Sequence, residues 1–129
     1  MRTLKIGIAS YEQMKARTLE TAQGRRRARG DDPKVWFTSV ESFAKVLSDR
    51  NRALLSLIAE ARPESLAELS EISGRARSNL SRTLKTMERY GLVQLRKGQG
   101  RVIVPRAPYS GIELAVSFRS GRADTARTP

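Results

Sequence analysis

The spacing of apolar positions changes along the chain, and each spacing predicts an element. Thr3-Leu4-Lys5-Ile6-Gly7-Ile8 alternates apolar with other residues, as a half-buried strand does. Ser10 then offers an N-cap for a helix from Tyr11 to about Ala22, with Met14, Leu19 and Ala22 expected inward. Val35-Trp36-Phe37 reads as a short strand. Thr38-Ser39-Val40-Glu41 places a hydroxyl three residues before a carboxylate, the capping-box spacing, and predicts a helix to about Leu47 with Val40, Phe43, Ala44 and Leu47 on one stripe. Trp36 and Phe37 are expected as core or interface aromatics, because a base-stacking platform would interleave exposed aromatics with basic residues.

From residue 49 onward the periodicity becomes helical. Asn51 to Ala61 predicts a helix burying Leu54, Leu55, Leu57 and Ile58, stopped ahead of Pro63, which disfavours helical geometry in its predecessor. Ser65-Leu66-Ala67-Glu68 repeats the capping-box spacing and opens a short helix with Leu66, Leu69 and Ile72 on one face. Ser73-Gly74 ends it. A third helix, about Ala76 to Tyr90, carries Leu80, Leu84 and Met87 at i, i+4, i+7 and stops at Gly91. Leu92 to Arg96 and Arg101 to Val104 read as two strands joined by the turn Lys97-Gly98-Gln99-Gly100, with Pro105 and Pro108 ending the pairing. Ile112 to Phe118 alternates once more and predicts a last strand, and Arg119 to Pro129 lacks the apolar residues to fold.

Charge sharpens this picture. The formal net charge is +12, from 25 Lys and Arg against 13 Asp and Glu, which points to a polyanionic partner. It is not spread evenly. Between residues 75 and 101, Arg75, Arg77, Arg82, Lys85, Arg89, Arg96, Lys97 and Arg101 face Glu88 alone, whereas acids outnumber bases over 35–74. A second basic run, Arg25, Arg26, Arg27 and Arg29, lies between Gly24 and Pro33 and reads either as a solvated loop or as an arm on phosphates.

Composition also prunes the chemistry. With no His and no Cys, the chain lacks the usual general base, thiol nucleophile and commonest transition-metal ligands. No enzymatic role, cofactor or metal is expected. No segment reads as a signal peptide or membrane span, so a cytoplasmic location without a membrane partner is expected.

Helix, short capped helix, Gly-containing turn, basic helix and two-stranded hairpin make the order of a winged helix-turn-helix, an α+β fold that is mainly α. In such a fold the third helix is the reader: one face is fixed to the core and the other enters the major groove. Arg77, Asn79 and Arg82 are the candidates for base readout, since Arg pairs bidentately with guanine and Asn with adenine. Arg75, Ser78, Ser81 and Lys85 suit phosphates, and Lys97, Gln99 and Arg101 of the hairpin suit the adjacent groove or backbone. A-form RNA would not admit the helix into its major groove, which leaves double-stranded DNA as the expected ligand.

The stretch SLAELSEISGRARSNLSRTLKTMERYGLVQLRKGQGR resembles the DNA-binding domains of MarR-like winged-helix regulators. The shared features are the Ser81-Arg82 step in the reader helix and the passage Glu88-Arg89-Tyr90-Gly91-Leu92-Val93 into the wing. TLKIGIASYEQMKAR, PKVWFTS and NRALLSLIAEARPESLAEL extend a closer likeness to small DNA-binding, antitoxin-like regulators. That resemblance implies an autoregulatory role and a partner toxin protein. Two functions follow as expectations: a repressor that reads DNA as a homodimer, or an antitoxin-like module that neutralises a partner protein, with DNA binding secondary. Residues 1–47 are then an N-terminal strand–helix extension for dimer or partner contacts, 48–118 the winged domain and 119–129 a disordered tail.

Overall fold

The computed structural model describes residues 2–24 and 32–118. The basic run Arg25, Arg26, Arg27 and Arg29, and the expected tail, lie outside the described residues. Ten elements follow in order: β1 (Thr3–Ile8), α1 (Tyr11–Ala22), β2 (Val35–Phe37), α2 (Val40–Val46), α3 (Asp49–Ala61), α4 (Leu66–Ser73), α5 (Arg77–Arg89), β3 (Gln94–Lys97), β4 (Ile103–Arg106) and β5 (Gly111–Val116). The chain divides into two compact units, one formed by Met1–Arg2 with Val46–Ser110, the other by Thr3–Lys45 with Gly111–Pro129. The division falls at Val46, and β5 falls in the same unit as β1.

The unit that holds β1, β2 and β5 is built on a parallel sheet of order β2-β1-β5. Leu4, Ile6, Ile8 and Phe37 are buried in it. Consecutive strand residues point to opposite faces, so Trp36 and Phe37 look opposite ways. The Arg17 guanidinium of α1 lies 4.8 Å from the centre of the Trp36 ring, while Phe43 of α2 meets Phe37 edge-on, with ring centres 5.5 Å apart. The two helices therefore cover the two faces of the sheet.

Several local expectations need correction here. α1 contributes no fully buried residue: Leu19 is 55% exposed and Ala22 is exposed too. Its covering of the sheet is made instead by half-buried Met14, Ala16 and Arg17, the last through its guanidinium over the Trp36 ring. Ser10 does cap α1, and Gln13 completes a reciprocal box by accepting the Ser10 N–H at 2.8 Å. At α2 the cap is Ser39, not Thr38. The Ser39 hydroxyl accepts the Ser42 N–H at 3.0 Å, which shifts the helix by one residue and leaves Val40 half exposed.

The other unit packs α3, α4 and α5 with the antiparallel pair β3–β4. Its core is Leu54, Ile58, Leu69, Leu80, Leu84, Met87, Leu92 and Val93. Leu55, Leu57 and Leu66, expected inside, are only half buried, and Ile72 at the end of α4 is largely exposed. Ser48 and Ser65 cap α3 and α4 through the N–H groups of Asn51 and Glu68. Arg62 in the left-handed conformation closes α3 before Pro63. Gly74, at φ +75°, closes α4.

Pro105 does not end the wing pairing as expected. It lies inside β4, opposite Leu95, and the ladder runs on to Arg106. Gly98 N–H donates to the Val102 carbonyl, so 98 and 102 form a hydrogen-bonded pair. Counting back along the register, 95 and 105 form a non-hydrogen-bonded pair. The missing proline N–H thus costs the ladder nothing.

Candidate nucleic-acid interface

The site grows from the two-sidedness of α5. Leu80, Leu84 and Met87 are completely buried. On the opposite side Ser78, Arg82, Lys85 and Arg89 follow one another at intervals of four, three and four residues, and all are exposed. This spacing makes a single stripe along the helix axis. Arg77 is exposed as well, but it stands in the first turn, off that stripe. Asn79 and Ser81 flank the stripe and are half buried.

The N-terminus of α5 is electropositive for two reasons. Ala76 in the cap position has no side chain to accept a first-turn N–H, and no acid stands in that turn. The helix dipole therefore adds to Arg77 rather than being offset by a carboxylate. At the other end Arg89 complements the dipole and donates to the Thr86 hydroxyl at 3.2 Å. Tyr90, Gly91 and Leu92 then turn the chain, with Leu92 N–H donating to the Met87 carbonyl and Gly91 at φ +76°.

Arg75 holds the turn between α4 and α5. Its Nε–H donates to Asn79 Oδ1 at 2.8 Å, Nη1 to Asn51 Oδ1 at 3.2 Å and Nη2 to the Thr83 hydroxyl at 3.2 Å. Its backbone is fixed as well: the Ser70 hydroxyl donates to its carbonyl, and its N–H donates to Ser73 Oγ. One residue thus ties α3, α4 and α5 together. Burial, and then the like charge of Arg50, push its guanidinium below the usual arginine value.

The wing carries the remaining candidates. Lys97, Gln99 and Arg101 are exposed around the tip, where Gly98 N–H bonds to the Val102 carbonyl and Gly100 adopts φ +66°. The base of the wing is anchored by Arg106, whose Nη1 donates to the Pro63 carbonyl at 2.7 Å and whose Nη2 lies 3.7 Å from Glu64. The tip is therefore hung from the loop between α3 and α4.

Of the residues expected from sequence, Arg82, Lys85 and Ser78 share one exposed stripe, and the three wing residues share the hairpin tip. Arg75 is turned inward. Sequence reasoning missed Arg89, although its spacing from Lys85 already placed it on the stripe. It also missed Asn51 and Thr83. Asn51 has no local signal, because its partner lies 24 positions away.

An open cleft of about 480 Å³ lies in the same unit, among Arg2, Glu88, Gln94, Arg96 and Tyr109. Glu88 beside its arginines denies it the single sign of charge that marks the α5 stripe. Among the described residues no group of three Asp or Glu is placed to hold a metal ion. Nor is any described helix long and apolar enough to cross a membrane.

No curated protein matches the chain. The crystal structure of a predicted DNA-binding transcriptional regulator from E. coli is similar, with a TM-score of 0.46 and 18% identity, over 74% of this chain and 84% of that one. Residues 46–114, more than half of the chain and spanning α3 to β5, match the sequence pattern of the HVO_A0114 family. The chain belongs to the HVO_A0114 family.

Proposed function

We propose that this protein is a transcriptional regulator that binds double-stranded DNA in a sequence-specific manner, with α5 in the major groove and the β3–β4 tip on the neighbouring backbone or minor groove. The observation that carries the reading is the exposed stripe Ser78, Arg82, Lys85 and Arg89 set opposite three completely buried core residues. A solvated helix face mixes both signs of charge; this one is basic over its whole length, broken only by hydroxyls. A stripe of this kind supplies the cations that displace counterions from phosphates and the guanidinium that pairs with guanine in the groove. Arg77 and Arg82 read bases, Lys85 and Ser78 set the register on the backbone, and Lys97 and Arg101 hold the flanking strand.

The protein acts as a homodimer on this reading, because two reader helices about 34 Å apart meet successive major grooves on one side of the duplex. The edge strand β5 supports self-association: Leu114 and Val116 are 44% and 42% exposed on it. Autorepression follows if the preferred site lies in the protein's own upstream DNA.

Enrichment from a randomised duplex pool, followed by methylation interference, tests the reading. Recovery of one palindromic sequence, with interference at guanine N7 in each half, is expected. Enrichment of nothing above the starting pool would overturn it.

A further inference from the structure

By composition Arg75 belongs with the phosphate ligands; its surroundings assign it otherwise. Each of its three guanidinium nitrogens already donates to the protein, at 2.8, 3.2 and 3.2 Å. All three acceptors are neutral side-chain oxygens, of Asn79, Asn51 and Thr83. A lysine ammonium, a point charge on a flexible stem, does not span that fork.

The same geometry decides the orientation of Asn79. The two ends of a carboxamide look alike, and only their partners tell them apart. With Arg75 Nε–H at 2.8 Å, the near end of Asn79 is the oxygen, since the amino group would set donor against donor. Asn51 obeys the same logic: its Nδ2 donates to the Val46 carbonyl at 3.0 Å, which turns its Oδ1 to Arg75. The chain α3–Asn51–Arg75–Asn79 is therefore directional. It leaves Asn79 Nδ2 as the end not used by Arg75, in the first turns of α5.

We infer that Arg75 is a positioning residue that fixes the Asn79 carboxamide so that its Nδ2 donates to a purine N7 in the major groove, an inference that rests on the DNA-reading role proposed above for α5. N7 is an acceptor on both adenine and guanine. The second lone pair of Asn79 Oδ1 then favours adenine, whose N6 amino group lies beside N7. Arg75 contributes to discrimination through Asn79 and grips no phosphate itself.

The test uses fluorescence anisotropy with the full chain. Its probes are a duplex enriched from a random pool, a scrambled duplex, and copies of the enriched duplex carrying 7-deazaadenine or 7-deazaguanine at single positions. The wild type is expected to lose about tenfold in affinity at one 7-deazaadenine position in each half-site, apart from the 7-deazaguanine positions read by Arg77 and Arg82. Asn79→Ala and Arg75→Lys should both lose that sensitivity at the same position and weaken the unmodified duplex by similar factors. The double variant should bind no worse than either single one.

Arg75→Lys that keeps the N7 sensitivity overturns the inference. So does Arg75→Ala if it preserves the N7 sensitivity while lowering the salt slope on both duplexes by about one phosphate contact. Should Arg75→Lys fail to fold, Asn51→Ala carries the test, because it releases Nη1 while keeping the charge and Asn79: partial loss of N7 sensitivity supports positioning, full retention overturns it. A wild type that does not separate enriched from scrambled duplex overturns the reader role of α5 and this inference together; discrimination retained without any Arg75 effect overturns the inference alone.

Discussion

Gly7 on β1 and Trp36 on β2 are register partners, and a Cβ on Gly7 would fall 2.4 Å from the Trp36 ring. Arg17 lies over that ring and also pairs with Asp32 at 3.4 Å, so the indole is confined on more than one side. Gly7→Ala should therefore destabilise by about 1–3 kcal/mol through overpacking. Urea unfolding should show a lower midpoint at unchanged slope. An unmoved midpoint would mean that the ring yields without cost.

Gly74 makes the complementary case. A Cβ there meets nothing within 4 Å, but the residue sits at φ +75°. Gly74→Ala should cost about 1–2 kcal/mol from backbone conformation alone, and Gly74→Asn less, because Asn visits the left-handed region more readily. Equal losses for the two variants, read by thermal unfolding, would contradict the conformational origin.

The cap of α1 is exposed and reciprocal, and it is separate from the sheet's core. Ser10→Ala removes the acceptor for the Gln13 N–H and should cost about 1 kcal/mol. Helical circular dichroism followed through a thermal scan checks this, and a loss below about 0.3 kcal/mol would show that Gln13 alone holds the end.

The two faces of α5 should separate stability from binding. Leu84→Ala removes a side chain with no exposure and should cost about 2–5 kcal/mol. Arg82→Ala, on the outer stripe, should stay within about 0.5 kcal/mol of the wild type. Denaturant unfolding of both variants checks the assignment; a large loss for Arg82→Ala would mean that it is part of the packing.

What could be read from the sequence and what could not divide along physical lines. α5 was legible because Leu80, Leu84 and Met87 state its period, and Gly91 states its end. The wing was legible from alternation around a glycine turn, yet the place of Pro105 depended on which pairs exchange hydrogen bonds, a property of register rather than composition. The pairing of β1 with β5 joins residues more than 100 positions apart, and no local pattern encodes it. Leu19 looked like a core residue because an apolar residue on a helix usually faces inward; α1 lays an arginine guanidinium on its sheet instead. In the candidate site the outward stripe follows from helical spacing alone. The inward turn of Arg75 does not, since Asn51, which captures it, belongs to another helix.

The central claim is that α5 reads duplex DNA through its exposed arginines, and anisotropy binding across about 50 to 200 mM salt tests it most directly. The wild type and Arg77→Ala/Arg82→Ala are compared on an enriched and a scrambled duplex. A preference of about a thousandfold in the wild type, collapsing in the double variant while weak salt-sensitive binding to both duplexes persists, is the predicted result. Equal and steeply salt-dependent binding of the wild type to both duplexes would contradict it, and would reduce the α5 stripe to a non-specific electrostatic surface.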